Sequence, residues 1–153
     1  MPYTKVYIHF VWSTKKRIPY LYSPEIRSKV WKHIKENSIK NGIFIDCING
    51  YSDHCHCLIS LGNDQTIQKI MQMIKGESSY WINKTNLISN YSEMAEPIKF
   101  QWQDEYYAVS VSDSKFDNVR NYIKNQEEHH SKKTYLEEYN DFIKKYGFVQ
   151  NRD

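Results

Sequence analysis

Between residues 4 and 14 (TKVYIHFVWST) the chain alternates with a period of two. Val6, Ile8, Phe10 and Trp12 fall on one side, and Tyr7, His9 and Val11 on the other. That pattern, rich in aromatic and β-branched residues, predicts a strand, which Lys15 to Arg17 and Pro19 end. Ser23-Pro24-Glu25 then carries a helix start, serine as N-cap and proline in the first turn. Ile26, Val30 and Ile34 continue at a spacing of four, and Asn41-Gly42 closes the helix. Ile43 to Ile48 and His54 to Leu61 are short apolar runs that predict a hairpin, turning through Asn49-Gly50 with a connection longer than two residues.

A second helix is predicted from Thr66, with Ile67, Ile70, Met71, Ile74 and Trp81 at helical spacing. Residues 85 to 97 are polar and irregular and predict a surface loop. Phe100 to Val111 predicts one or two strand segments with a bend near Asp104. A third helix starts near Ser112-Asp113 and runs into the cluster Gln126 to His130, and a last one covers about Thr134 to Tyr146. The order β-α-β-β-α-β-α-α implies an α+β sandwich of the ferredoxin-like or RRM-like type, an antiparallel sheet with helices packed on one face. At 153 residues and with no linker, residues 1–153 are expected to form a single domain.

Charge changes this picture little. Twenty-one basic residues against 18 acidic ones leave a net +3, which excludes a polycationic coat protein but permits a local basic face. Lys15, Lys16, Arg17, Lys75, Lys132 and Lys133 are the candidates for phosphate contact, against the alternative of a scattered solvated shell. No apolar run approaches the ~20 residues that span a bilayer, and the N-terminus does not resemble a signal peptide. The expectation is a soluble cytoplasmic protein. Three cysteines, an odd number, fit a reducing compartment. Thirteen tyrosines and four tryptophans suit either base stacking or a core of amphipathic rings.

Two groups of residues carry candidate chemistry. His54 and His56, at i and i+2 on a strand, share a face with Cα atoms about 6.6 Å apart. Two imidazoles so placed can converge on one divalent ion, although half-exposed histidines on a sheet face give the same spacing. Cys55 and Cys57 point the other way. Cys47 could join them across the hairpin, but no fourth ligand is apparent, and buried thiols are the simpler reading. On the third helix Tyr122, Gln126 and His129 fall at i, i+4 and i+7, one stripe, beside an apolar stripe of Phe116, Val119 and Ile123. Tyrosine at a core boundary is commonplace. Together with a metal on the histidines, however, Tyr122 becomes a candidate nucleophile on phosphorus, with Gln126 able to offer a neutral oxygen ligand.

His-hydrophobe-His on a strand followed by Tyr-x-x-x-Gln on a later helix resembles the single-tyrosine HUH transposases of the insertion-sequence 200/605 type. The similarity extends through IHFVWSTKKR, INGYSDHCHCLISL, IKGESSYWIN, FQWQDEYYAVSVS and YIKNQEEHHSKKTYLEEY, in that order. The resemblance implies a transposase that cuts and rejoins single-stranded DNA at the ends of a mobile element, often near an imperfect hairpin. It implies Tyr122 as the nucleophile forming a 5′-phosphotyrosine, and His54, His56 and Gln126 as ligands of Mg2+ or Mn2+. It also implies a homodimer with joined sheets, in which the histidine pair of one subunit serves the tyrosine of the other. Two features depart from the family pattern. Cys55 stands where an aliphatic residue is usual, and Glu105-Tyr106-Tyr107-Ala108-Val109 stands where two glycines flank a tyrosine. Two alternatives remain at this level: a non-catalytic module that binds single-stranded or hairpin nucleic acid, and a metal-dependent phosphoesterase in which water attacks.

Overall fold

Four antiparallel strands form the centre of the computed structural model, which describes residues 2–89, 98–130 and 134–146. They are β1 (Tyr7–Ser13), β2 (Phe44–Gly50), β3 (His54–Ser60) and β4 (Tyr107–Val111), in the order β2-β3-β1-β4. Strand β1 is buried along almost its whole length, as its two-sided apolar pattern requires. Ile8, Phe10 and Trp12 enter one layer of the core together with Cys55, Cys57 and Ile59 of β3.

Helices α1 (Pro24–Lys40) and α2 (Ile67–Lys84) cover that layer. Both begin as the sequence requires. The Ser23 hydroxyl accepts from the Ile26 amide at 3.1 Å and the Thr66 hydroxyl from the Lys69 amide at 3.2 Å. Helix α1 ends at Asn41, followed by Gly42 with a left-handed φ of 74°, a conformation that glycine adopts without steric cost. The buried stripes Ile26, Val30, Ile34 and Ile70, Met71, Ile74 face the sheet at the predicted spacings. Trp102 joins β1 through an isolated bridge to Thr14, and its indole N–H donates to the buried Ser78 hydroxyl at 2.8 Å.

The hairpin differs in detail from the expectation. Asn49 and Gly50 lie within β2, paired to His56 and Cys55, and residues 51–53 make the connection. A register irregularity between Ile45 and Cys47 turns the strand over. Ile45 therefore packs in the α1/α2 layer, while Cys47 packs on the opposite face with Leu58 and Ile123. Cys47 thus cannot join Cys55 and Cys57, and all three thiols are free and buried. Burial pushes Cys47 up to about 12, with the neighbouring Asp46 adding to the shift.

The opposite face of the sheet carries the C-terminal helices. After a 3-10 turn at Asp113–Lys115 come α3 (Phe116–Lys124), α4 (Gln126–His130) and α5 (Tyr135–Tyr146). The single helix expected through His130 breaks at Asn125, whose φ of −99° and ψ of 21° leave the helical range. The stripe Phe116, Val119, Ile123 packs on the sheet as read, against Tyr7 and Leu58. Residues 90–97, part of the predicted loop, and Lys132 and Lys133 lie outside the described residues. Among the described residues no helix is long and apolar enough to cross a membrane.

Candidate active site

His54 and His56 stand on the face of β3 covered by α3–α5, and both are buried. The alternation of β3 alone places them there, with Cys55 and Cys57 sent to the other layer. Each imidazole has a partner on its Nδ1 side. Asp53 Oδ1 lies 2.9 Å from His54 Nδ1, and His9 Nε2 lies 2.9 Å from His56 Nδ1. A carboxylate accepts only, so the His54 proton is assigned to Nδ1 and the Nε2 lone pair faces inward.

Gln126, fully buried at the start of α4, completes one side. Its Nε2 donates to the Tyr122 carbonyl at 3.3 Å, which fixes the amide and turns Oε1 toward His54 Nε2, 3.2 Å away. The predicted trio of His54, His56 and Gln126 is therefore brought to one place. So is Tyr122. Its ring lies edge-on to His56 with centroids 5.6 Å apart, and edge-on to His9 at 6.4 Å. All four residues come together within one chain.

Glu138, which no pattern in the sequence singles out, projects from α5 into the centre of this group. Its Oε1 accepts from His56 Nε2 at 2.7 Å and lies 3.7 Å from His54 Nε2. Its Oε2 lies 2.9 Å from His129 Nε2 and 3.1 Å from His130 Nε2. His130 Nε2 is also 3.1 Å from Gln126 Oε1. His9, likewise unassigned, was legible only as a strand residue on the same side as Tyr7. Its link to His56 requires the β1–β3 pairing, in which Val11 stands opposite His56.

Burial sets the electrostatics. It pushes His9 down to about 3, helped by His56, and His56 down to about 4 against the pull of Glu138. Burial works against ionisation of Glu138 too, but hydrogen bonds from His130 and His56 outweigh it and hold the carboxyl well below the usual range. The Tyr122 hydroxyl is held well above its ordinary value by burial first, then by the charge of Glu138 and a hydrogen bond to it. Tyr122 is thus a neutral phenol at rest and needs a nearby positive charge to become a nucleophile.

His54 Nε2, Gln126 Oε1 and Glu138 Oε1 are lone-pair atoms that converge with no hydrogen assigned between them. This donor set, with His56, fits a divalent cation. A cavity of about 510 Å3 opens beside it, with His9, Tyr122 and Phe142 in its wall and Lys115 and Lys145 at its rim. A larger groove of about 930 Å3 lies across α1, β2 and α3, lined by Arg27, Lys32, Lys35, Arg120 and Lys124, and includes none of these site residues.

The predicted basic residues fall in two places. Lys15 and Lys75 share a shallow hollow with Gln101 to Asp104, where Lys75 donates to the Asp104 carbonyl at 2.9 Å. Lys16 and Arg17 border a second hollow, and the Arg17 guanidinium stacks over the rings of Tyr135 and Tyr139 at 5.4 and 5.2 Å.

The order of these elements and the sequence that forms them match the model of one protein family, described as transposase IS200 like, over residues 2–126. The chain belongs to that IS200-like transposase family. Transposition and DNA binding follow from membership. A crystal structure of a candidate transposase from Deinococcus radiodurans R1 has a TM-score of 0.62 at 20% identity, covering 82% of this chain and 93% of that one. At that identity the likeness speaks for the fold. A REP-associated tyrosine transposase bound to a REP hairpin gives a TM-score of 0.47 at 12% identity, covering 86% of this chain and 71% of that one. No curated protein matches the chain. The match ends at Gln126, and His129, His130 and Glu138 lie beyond the matched residues.

Proposed function

We propose that this IS200-like transposase cleaves and rejoins single-stranded DNA at the ends of a mobile element through a 5′-phosphotyrosine on Tyr122. The observation that carries this reading is the placement of Tyr122 against His56, with His54 and Gln126 converging beside it. His54, His56 and Gln126 would hold Mg2+ or Mn2+, which when bound supplies Lewis-acid stabilisation of charge on the scissile phosphate. Manganese suits a set that mixes imidazole and oxygen donors.

The protein's own groups would do the rest. Asp53 keeps the His54 proton on Nδ1, and His9 orients the His56 ring through its other nitrogen. The cavity beside Tyr122 would seat the nucleotides flanking the cut, with Lys115 and Lys145 facing their phosphates. Attack by the Tyr122 oxygen on phosphorus forms one phosphodiester and breaks another, freeing a 3′-hydroxyl. That hydroxyl later attacks the phosphotyrosine to rejoin strands, so no nucleotide cofactor is needed. Lys15, Lys16, Arg17 and Lys75 would contact phosphates outside the cleft, as would Lys32, Lys35 and Lys124 of the groove across α1 and α3, where Arg27 and Arg120 are already paired with Glu127 and Asp46. Strands β2 and β4 are the two edges of the sheet, and a homodimer would join along one of them, each protomer carrying its own site.

A purely stacking module of the RRM kind fits less well. Its sheet face would have to be open, and here that face is covered, with Tyr7 against Phe116 and His9 against Phe142. The test is a labelled single strand carrying an element end, incubated with protein and Mn2+ and run on a denaturing gel. A covalent protein–DNA band is expected, absent with Tyr122→Phe and without metal. Cleavage with no band would assign the reaction to water, and retardation with no cleavage would leave a binding protein.

A further inference from the structure

We propose that Glu138 is a further ligand of the divalent ion at His54, His56 and Gln126, with His129 and His130 beside its second oxygen. The proposal rests on the reading of the histidine pair as a metal site.

The geometry is that of a coordination sphere. In an octahedral complex with bonds of ~2.1 Å, neighbouring donor atoms are ~3.0 Å apart. Glu138 Oε1 lies 2.7 Å from His56 Nε2 and 3.7 Å from His54 Nε2, and Gln126 Oε1 lies 3.2 Å from His54 Nε2. Small adjustments, with the His56 proton moved from Nε2 to Nδ1 where His9 Nε2 can accept it, would bring all four atoms onto one ion. The His54 proton is held on Nδ1 by Asp53, so His54 Nε2 meets two oxygens with no hydrogen bond to offer them. A cation resolves that convergence of lone pairs, and a hydrogen bond does not.

The other half of the carboxylate is used differently. His129 and His130 approach Oε2 at 2.9 and 3.1 Å, close enough to orient it from outside the coordination sphere. Helix α5 is polar along much of its length, yet Glu138 is only 6% exposed. A buried carboxylate set among four imidazoles is an uncommon placement on such a helix, and a cation shared with those rings would account for it.

Charge gives the ligand a role. Two neutral imidazoles and one carboxamide bring no negative charge to a divalent ion, so that set alone would hold it more weakly than one that includes a carboxylate. A carboxylate strengthens binding of the ion in the absence of DNA, and it ties α5 across the site when the ion is bound.

Titration calorimetry of the full chain with Mn2+ in the absence of DNA tests this. One ion per chain is expected, with Glu138→Gln weakening binding by more than about tenfold, the lower range for loss of even an outer-shell partner. Unchanged or tighter binding by Glu138→Gln would overturn the proposal and make the carboxylate a plug that the metal displaces. Hydrogen exchange of the wild-type chain gives a second reading that does not depend on the variant folding. Mn2+ should slow exchange across residues 135–146 if Glu138 is a ligand, and unchanged or faster exchange there would contradict it. A His54→Ala/His56→Ala chain that binds Mn2+ as tightly as wild type would instead overturn the metal site itself.

Discussion

Single protons decide much of what this site does. His9 and His56 are buried neutral at about 3 and about 4, whereas in the unfolded chain both titrate near ~6.5. Below that pH the unfolded state binds more protons, so stability is fully present above about 6.5 and is lost as pH falls toward 4. Glu138 acts in the same direction, because its depressed carboxyl stabilises the fold above its ordinary range and ceases to on further acidification. With two histidines the slope reaches up to about 2.7 kcal/mol per pH unit. Urea unfolding of the metal-free protein from pH 7 to pH 4 should show this decline, and His9→Phe should flatten it. A pH-independent unfolding free energy would contradict the burial of these rings.

At the scale of elements, the β2–β3 hairpin is what aims the histidines. A Cβ on Gly50 would collide with the His54 carbonyl oxygen and lie 3.0 Å from Cys55 Cα and from the Trp31 ring. Gly50→Ala is therefore expected to destabilise the fold by about 1–3 kcal/mol and to weaken Mn2+ binding by displacing His54. Gly76→Ala is the control. It lies on the solvent side of α2 with nothing within 4 Å of the added Cβ, and it should stabilise by about 0.5–1 kcal/mol. Thermal unfolding and calorimetry of the pair read both effects.

The same elements show what the sequence discloses and what it hides. Strand β1, the Ser23 and Thr66 caps, the Asn41-Gly42 stop and the opposite facing of His54 and Cys55 follow from local pattern and chemistry. The turnover at Ile45/Cys47 does not, because one irregular residue in a strand leaves no mark in hydrophobicity. Asn49-Gly50 has the composition of a turn but sits in β2, where Gly50 answers close packing instead. Gln126 was legible as part of a motif. Glu138 was not, since it lies 82 residues from His56 on a helix whose Glu and Lys content reads as a solvated surface. Only the packing of α5 over β3 gives it a role.

For the whole molecule, the central point is that one chain brings the tyrosine, the histidine pair and Gln126 together. The ring of Tyr122 is 5.6 Å from that of His56 in the same chain. Mixing a His54→Ala/His56→Ala protein with a Tyr122→Phe protein should therefore recover no cleavage. Recovered activity would mean that α3 serves a partner's histidines, as the family resemblance implied. The most direct measurement is mass spectrometry of the covalent protein–DNA product after nuclease and protease digestion. Thirteen tyrosines are available, and others lie at the site, Tyr135 stacked on the His54 ring at 4.4 Å and Tyr146 in the wall of the cavity beside Tyr122. The nucleotide is predicted on the peptide containing Tyr122 and on no other. A nucleotide on a different tyrosine, or cleavage that leaves every tyrosine unmodified, would contradict the account.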